Sequence, residues 1–203
     1  MNPASARRSR GPSWIGPAAL VGLVLLAIIV AAGLVRAFDV AALDAAQLVP
    51  ESRALDVLAS LVSLAGRAEI TGGIALGWAV ARWRAGRRDA WVPLAIALTV
   101  VVEAALKLVV PQVPPPHERS RTVELIPFLS VPFVYSFPSG HVARAVFLLV
   151  VARVPLAAGA VAVALVAVTR LYLAEHWATD VAGGLLLGYG VAWFGLRAAR
   201  RLG

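Results

Sequence analysis

Long apolar segments without charge dominate the chain and predict membrane-spanning helices. The first, 17–35, reads PAALVGLVLLAIIVAAGLV and lies in a stretch with no charged residue between Arg10 and Arg36. An α-helix needs about 20 apolar residues to cross the hydrocarbon core of a bilayer. The segment is longer than the roughly 7–15 apolar residues of a secretory signal peptide, and further spans follow it. We therefore predict an uncleaved first span.

Five more segments have the composition of spanning helices: one ends in GGIALGWAVA, 72–81, before Arg82, and the others occupy residues 90–110, 139–151, 154–173 and 181–196. The shorter stretch 55–64, LDVLASLVSL, predicts an interfacial helix that leads into the second span. No strand-like alternation interrupts the series. The pattern predicts an all-α integral membrane protein. Its single domain, 15–200, is a bundle of six transmembrane helices that follows a cytoplasmic tail, 1–14.

Composition supports this class. The chain has 203 residues, a mean hydropathy of +0.82 and 15% charged residues, which leaves room for one membrane domain and little else. It contains no cysteine, so the sequence offers neither disulfides nor thiol chemistry.

The basic residues are unevenly divided between the two ends of the predicted bundle. Eleven arginines and one acidic residue fall on the side of the N-terminus, against eight basic and ten acidic residues on the other side. The positive-inside rule then predicts a multi-pass protein of the plasma (inner) membrane with both termini cytoplasmic. This asymmetry accounts for the net charge of +8 without a nucleic-acid partner.

Several ionisable side chains converge on the external end of the predicted bundle, and they are Lys107, His141, Arg170, His176 and Asp180. Each has an ordinary structural interpretation when taken alone. A lysine extends to the interface, an aspartate caps a helix, and a Ser-Gly pair such as 139–140 starts one. Ionisable groups within or beside spans are functional candidates, and here four segments distant in sequence bring them to one level. The coincidence favours a site.

These residue types suit phosphoryl transfer. Arg170 offers planar, bidentate donors to phosphate oxygens and Lys107 offers a point charge. Backbone N–H groups at Ser139 and Gly140, where a helix begins, are suited to bind an anion. One neutral imidazole can attack phosphorus while another protonates the leaving oxygen. An aspartate bonded to the attacking ring would fix its tautomer.

Two motifs carry a resemblance to a known family. PSGH at 138–141 and R-LYLAE-H-WAT-D at 170–180 resemble the last two motifs of the type-2 phosphatidic acid phosphatase superfamily of membrane lipid phosphatases, with Thr169 at the position where the family has serine. The resemblance implies that His176 is the nucleophile that forms a phosphohistidine, Asp180 its orienting partner and His141 the general acid. It also implies that Ser139, Gly140 and Arg170 hold the phosphate. It implies no metal and no other cofactor.

The first motif of the family is present only in part. The family pattern is a lysine, six residues and then Arg-Pro, whereas here Lys107 and LVVPQV precede Pro114. Three arginines are candidates to replace the missing one, namely Arg119, Arg121 and Arg144. Glu103 lies four residues before Lys107, a spacing at which a Glu–Lys pair is favourable. The pair His117–Glu118 is too small to predict a metal site.

The sequence therefore predicts a phosphatase that hydrolyses a lipid phosphate or diphosphate at the outer membrane face through a phosphohistidine intermediate. Undecaprenyl diphosphate, phosphatidic acid and phosphatidylglycerol phosphate all suit this description. The alternative is a non-catalytic protein that binds or transports a lipid phosphate on the same scaffold, as the missing arginine suggests. In either case the partners are the lipid and the bilayer, and the oligomeric state stays open.

Overall fold

The computed structural model describes residues 14–125 and 133–202, so the predicted tail lies outside the described residues except for Trp14. Within these residues the chain is helical and has no strand. It forms eight α-helices: α1 Ile15–Ala31, α2 Arg36–Ala46, α3 Arg53–Leu64, α4 Ala68–Arg84, α5 Ile96–Val109, α6 Gly140–Val151, α7 Leu156–Tyr172 and α8 Ala178–Leu202. Two short 3₁₀ turns, Val92–Ala95 and His117–Arg119, precede α5 and follow it.

The six predicted spans fall on α1, α4, α5, α6, α7 and α8. By length and composition, three stretches of the described chain can cross a membrane: Arg53–Arg84, Val92–Val109 and Ala178–Arg201. The bent pair of α1 and α2 adds a fourth, while α6 and α7 are shorter apolar helices. The described helices thus support a multi-pass protein, and the count of six spans stays a prediction.

The first span ends earlier than its apolar pattern predicts. The segment was expected to continue to residue 35, but α1 stops at Ala31 and α2 leaves it at an angle of 96°. Gly33 lies in the turn with a φ of 71°, a left-handed conformation that glycine adopts without steric cost. Hydropathy does not register this turn because all residues around it are apolar. The amphipathic helix α2, with Asp39 and Leu43 buried, was not predicted.

The predicted interfacial helix 55–64 corresponds to α3, which runs into α4 as one apolar stretch of 32 residues. Its polar residues are turned inward: Asp56, Ser60 and Ser63 are all buried. The hydroxyl of Tyr172 on α7 donates to Asp56 at 2.7 Å. This helix therefore contributes a polar face to the interior of the bundle, and its interfacial position stays a prediction.

Helix α8 is the axis of the bundle and packs most extensively against α6 and α1. Two glycines make the contact with α6 possible. A Cβ on Gly184 would lie 3.0 Å from the Cβ of Val142, and one on Gly188 would lie 2.9 Å from the Cβ of Val146. The absence of side chains lets the two backbones approach closely, as small residues do between membrane helices.

The bundle has two distinct ends. At one, a Cβ built on Gly195 near the end of α8 would lie within 3.8 Å of the side chains of Val92 and Ala95, and Gly16 of α1 packs against Trp193. The arginine-rich segments 82–88 and 197–201 belong to this end, which we call the arginine end. The opposite, or site, end brings together the last turns of α5 and α7 with the first turns of α6 and α8. The predicted ionisable residues are all at the site end.

Candidate active site

His176 and Asp180 form a buried pair where the chain passes from α7 into α8. Nδ1 of His176 lies 3.1 Å from Oδ2 of Asp180, which also accepts the backbone N–H of Trp177 at 3.0 Å. His176 is 7% exposed and Asp180 is fully buried. When the Nδ1–H group donates a hydrogen bond to the carboxylate, the lone pair of the neutral ring lies on Nε2. The arrangement therefore presents Nε2 as a nucleophile, and the same carboxylate caps the start of α8.

The environment of His176 favours the neutral ring. Burial lowers its pKa, and the positive charges of Lys107 and Arg170 act in the same direction. The hydrogen bond and the charge of Asp180 oppose this shift in part. The pKa of His176 is accordingly below the ordinary histidine value, so at neutral pH the imidazole is uncharged and able to attack.

The start of α6 differs in one respect from the predicted phosphate cradle. The backbone N–H of Ser139 was expected to face a phosphate, but it donates to the backbone carbonyl of Asp180 at 2.9 Å. The hydroxyl of Ser139 is buried and has no hydrogen-bond partner within the described residues. The first turn begins at Gly140, and N–H groups of a first turn have no intrahelical acceptor. Ser139 can therefore offer a phosphate its hydroxyl and not its backbone N–H. The backbone N–H groups of Gly140 and of the residues after it remain candidates for binding a phosphate.

Arg170 lies at the end of α7 and is 5% exposed. One Nη1 hydrogen goes to the hydroxyl of Ser63 on α3, and Nη2 lies 3.4 Å from a carboxylate oxygen of Glu175. Its Nε is buried and has no partner among the residues that the structure describes. Ser63 and Glu175 therefore orient the guanidinium, while its Nε–H is without an acceptor in the described part of the chain.

A cavity of about 590 Å³ opens beside these groups. Its wall contains His141, Arg170 and Glu175 together with polar residues of α3 and of the loop after α5. The hydroxyl and charged residues of the wall are Ser60, Ser63, Arg67, His117, Ser120, Thr122 and Glu124. The predicted general acid and the predicted phosphate-binding arginine therefore face one polar space.

Glu175 is a site residue that the sequence analysis missed. It accepts hydrogen bonds from the hydroxyls of Thr122 and of Ser120, the latter at 3.4 Å, and it pairs with Arg170. Burial raises the pKa of its carboxyl, but the charge of Arg170 and the hydroxyl donors outweigh burial and hold that pKa below the ordinary value. Glu175 is thus an anion next to His176 in sequence. Because it pairs with Arg170, it would compete with a bound phosphate for that guanidinium. Its position directly before His176 was the only signal in the sequence.

A comparison with protein families identifies the superfamily of the chain. Residues 88–203, more than half of the chain, match the model of the PAP2 superfamily. The chain belongs to the PAP2 superfamily. The predicted membership is thereby confirmed.

A solved structure shares the fold over nearly the whole chain. It is that of a transmembrane PAP2-type phosphatidylglycerolphosphate phosphatase from Bacillus subtilis, with a TM-score of 0.76 and 19% identity over 94% of this chain and 98% of that chain. No curated protein matches the sequence significantly. PAP2 membership and the apolar helices make this a multi-pass membrane protein, and they support lipid phosphatase activity.

The lysine of the incomplete first PAP2 motif belongs to a second, largely buried cluster, which we call the Glu103 cluster: Glu103, Lys107 and Arg144. Nζ of Lys107 lies 2.9 Å from one carboxylate oxygen of Glu103, and Nη1 of Arg144 lies 2.5 Å from the other. Nε of Arg144 donates to the carbonyl of Gly66 at 3.0 Å. The carboxylate lies against Gly140, where any Cβ would collide with it. Both cations are thus engaged within the protein beside the start of α6.

The other two candidate arginines are engaged at α2. Arg119 donates to Gln47 and to Asp44, each at 2.8 Å. Arg121 donates to the carbonyl of Val49 at 3.0 Å and lies over the ring of Tyr172. Their side chains therefore attach the loop after α5 to α2, and neither guanidinium is among the cavity wall residues.

A second residue that the sequence analysis missed is Asp39, a buried residue of α2 that binds the start of α8. Its carboxylate accepts the backbone N–H of Thr179 at 2.9 Å and the hydroxyl of Thr179 at 2.7 Å. The side-chain amide of Gln112 donates to Asp39 at 3.0 Å. This network joins α2, the loop after α5 that contains Gln112, and α8. It thereby fixes the first turn of α8, on which Asp180 lies. Its sequence signal was an isolated aspartate just beyond an apolar segment.

His117 is the only member of the predicted His117–Glu118 pair on the cavity wall. Within residues 14–125 and 133–202, no group of three or more His, Cys, Asp or Glu side chains is placed to hold a metal ion.

Proposed function

We propose that the chain is a metal-independent phosphatase that hydrolyses a lipid phosphate or diphosphate through a phosphohistidine on His176. The observation that carries the proposal is the buried His176–Asp180 pair. The pair is not part of the cavity wall, but the residue before His176, Glu175, shares that wall with His141 and Arg170. A protein that only binds phosphate has no use for a neutral imidazole oriented by a carboxylate. PAP2 membership supports the same reaction class.

In the proposed first step, Nε2 of His176 attacks phosphorus and forms a P–N bond. The bond from phosphorus to the leaving oxygen breaks, and His141 donates a proton to that oxygen. Asp180 stabilises the positive charge that develops on the ring of His176. Arg170 donates to the equatorial oxygens, where the transition state concentrates negative charge.

In the second step, water attacks phosphorus and the P–N bond breaks. His141, now neutral, accepts a proton from the water, so inorganic phosphate leaves and both histidines return to their starting states. His141 acts as acid and then as base, which general acid–base catalysis requires of one group in a two-step displacement.

The test is an assay of the purified protein in detergent, without added metal, on three lipids: phosphatidylglycerol phosphate, phosphatidic acid and undecaprenyl diphosphate. The first is included because the solved PAP2 relative carries that substrate in its name. We expect phosphate release from at least one of them, also in the presence of a metal chelator. No release from any of the three would refute the enzyme.

The Glu103 cluster supports one second candidate, a protein that binds or transports lipid phosphate without turnover. The carboxylate of Glu103 offsets one of the two positive charges there and contacts both cations, which weakens their attraction for a phosphate. A His176→Ala variant with unchanged biological activity would favour this candidate over the phosphatase.

We further propose that the site end is external and that residues 15–200 form one membrane domain. The chain has no native cysteine, so single cysteines report accessibility cleanly. Exposed positions serve both ends, Glu118 at the site end and Ala85 at the arginine end. An impermeant thiol reagent applied to intact cells should label Glu118→Cys and leave Ala85→Cys unlabelled. The reverse pattern would invert the orientation.

A further inference from the structure

The cavity needs cations, yet most basic side chains of the site end are engaged elsewhere. Lys107 and Arg144 share the carboxylate of Glu103. Arg119 and Arg121 attach to α2 and to the segment after it. Pro114 occupies the position where the PAP2 motif has its arginine. The cavity wall nevertheless contains a second arginine besides Arg170, and it is Arg67.

Arg67 lies at the junction of α3 and α4, directly before the first residue of α4. It shares the cavity wall with His141 and Arg170, and its positive charge acts on both of them. Two guanidinium groups and an imidazole therefore surround one polar space. Guanidinium groups bind phosphate oxygens through paired N–H donors, which makes such a grouping suited to a phosphoryl group.

The backbone before Arg67 is fixed against the predicted general acid. A Cβ on Gly66 would lie 2.7 Å from the Cβ of His141 and 2.8 Å from its Cα, so only glycine permits this approach. The carbonyl of Gly66 accepts the Nε proton of Arg144 at 3.0 Å. The α3–α4 junction is thus attached to α6 from two sides, and the position of Arg67 next to His141 follows from it.

Arg67 also makes structural contacts, one of them with Glu69. Nε of Arg67 lies 3.6 Å from Oε2 of Glu69, and both side chains are about a third exposed. A pair of this kind contributes little to stability. It also does not account for the location of the arginine on the cavity wall beside His141.

We propose that Arg67 supplies the phosphate-binding guanidinium that PAP2 proteins carry at the position of Pro114. This inference rests on the proposed phosphatase function. It assigns the ligand of Arg67 as the phosphoryl group of the substrate, held jointly with Arg170. The motif position has been lost from the loop after α5, and its charge is provided from the α3–α4 junction.

The first experiment measures binding of inorganic phosphate to the purified protein by calorimetry, with Arg67→Gln, Arg67→Lys and Arg53→Gln as variants. Arg53 is an exposed arginine at the start of α3 and is not part of the cavity wall, so it serves as the matched control. Hydrogen bonds to charged groups are strong enough that we expect Arg67→Gln to bind phosphate about 10- to 100-fold more weakly. Arg67→Lys should lie between Arg67→Gln and the wild type, and Arg53→Gln should match the wild type.

Kinetics on the lipid substrate separate this inference from the function on which it rests. The Michaelis constant should rise in Arg67→Gln while thermal unfolding in detergent stays as in the wild type. Wild-type phosphate affinity in Arg67→Gln would overturn the role of Arg67 even if lipid hydrolysis is confirmed. Weaker phosphate binding in Arg67→Gln, with no hydrolysis of any lipid, would retain the site and refute the phosphatase. A wild type that binds no phosphate would overturn the role of Arg67, while the phosphatase itself is decided by the lipid assay.

A second experiment tests the equivalence of the two positions. Pro114 is exposed, so an arginine can be introduced there without opening the core. Pro114→Arg in the Arg67→Gln background should recover a large part of the lost phosphate affinity. A folded double variant with no recovery would overturn the equivalence.

Discussion

Two clusters of charged side chains lie at the site end, and they differ in how far their polar groups are paired within the protein. The cluster proposed as catalytic contains Ser139, His141, Arg170, His176 and Asp180, and it leaves donors without protein partners within the described residues. In the Glu103 cluster, one carboxylate contacts both the ammonium of Lys107 and the guanidinium of Arg144. Both clusters join helices that are far apart in sequence.

The difference shows what burial demands of a charge. A buried ion is tolerated when it is paired, and a paired ion has little capacity left for a ligand. In the catalytic cluster the Nε of Arg170 and the hydroxyl of Ser139 lack partners within the described chain. Such unsatisfied groups cost stability and are retained where a ligand completes them. Variants of the two clusters should therefore fail in different measurements.

The largest expected effect belongs to the nucleophile. His176→Ala should lower turnover by about 10⁴-fold or more, because no P–N bond can form. The loss should appear equally on a lipid phosphate and on an aryl phosphate. Rapid quenching with radiolabelled substrate should trap an acid-labile phosphoprotein in the wild type and none in the variant. A labelled phosphoprotein in His176→Ala would move the nucleophile to another residue.

The general acid should show a smaller loss that depends on the substrate. His141→Ala should lower turnover of a lipid monophosphate by about 10²–10⁴-fold, since the leaving oxygen then departs without a proton. An aryl phosphate with a leaving group of low pKa needs little protonation, so much of the loss should disappear there. Equal losses on the two substrates would refute the assignment of His141 as the acid.

The Glu103 cluster should respond in stability. Glu103→Gln leaves two buried cations without their anion, and breaking a buried pair in this way typically costs about 3–5 kcal/mol. The free energy of unfolding in detergent should fall accordingly, while turnover of an aryl phosphate by the folded fraction changes little. Glu51→Gln, an exposed position at the same end, is the control.

One result would merge the two clusters. If Glu103→Gln raised turnover and left the free energy of unfolding unchanged, Glu103 would be an inhibitor that withholds Lys107 from the substrate. Both clusters would then act on turnover, and the Glu103 cluster would not be primarily structural.

The smallest effect is a shift in titration. Asp180 raises the pKa of His176 against the larger effect of burial, so Asp180→Asn should lower that pKa further. The chain has three histidines, which makes their ring signals assignable by NMR with labelled histidine. In the wild type, the ring of His176 should take up its proton only below the ordinary histidine pKa, and in Asp180→Asn at still lower pH. An upward shift in the variant would contradict the hydrogen bond as described.

The sequence predicted those parts of the molecule that depend on local spacing. The helical class followed from the apolar segments, and the pairing of His176 with Asp180 followed from a motif in which the two residues are about one helical turn apart. The end of α1 at Ala31 did not follow, because an apolar turn has the same composition as an apolar helix. The helix α2 was missed for the related reason that its pattern is amphipathic and short.

Contacts between distant segments were beyond the reach of spacing. Arg119 and Arg121 were candidates because they lie near Pro114 in sequence, yet their side chains turn to α2. Arg67 was not a candidate, since it lies just after the segment 55–64 that was interpreted as an interfacial helix. Only the close approach of Gly66 to His141 brings it to the cavity, and no periodicity in either segment records that approach.

The hydrogen bond from the Ser139 amide to the Asp180 carbonyl has a consequence for how the molecule moves. Together with the close contact at Gly184 and Gly188, it makes α6 and α8 one mechanical body that carries both histidine-bearing turns. The contact of Gly66 with His141 ties the α3–α4 junction to the same body. The distance between the proposed acid and the proposed nucleophile is therefore set within this body. We expect adaptation to new lipids to proceed through the surrounding helices, with the α6–α8 frame unchanged.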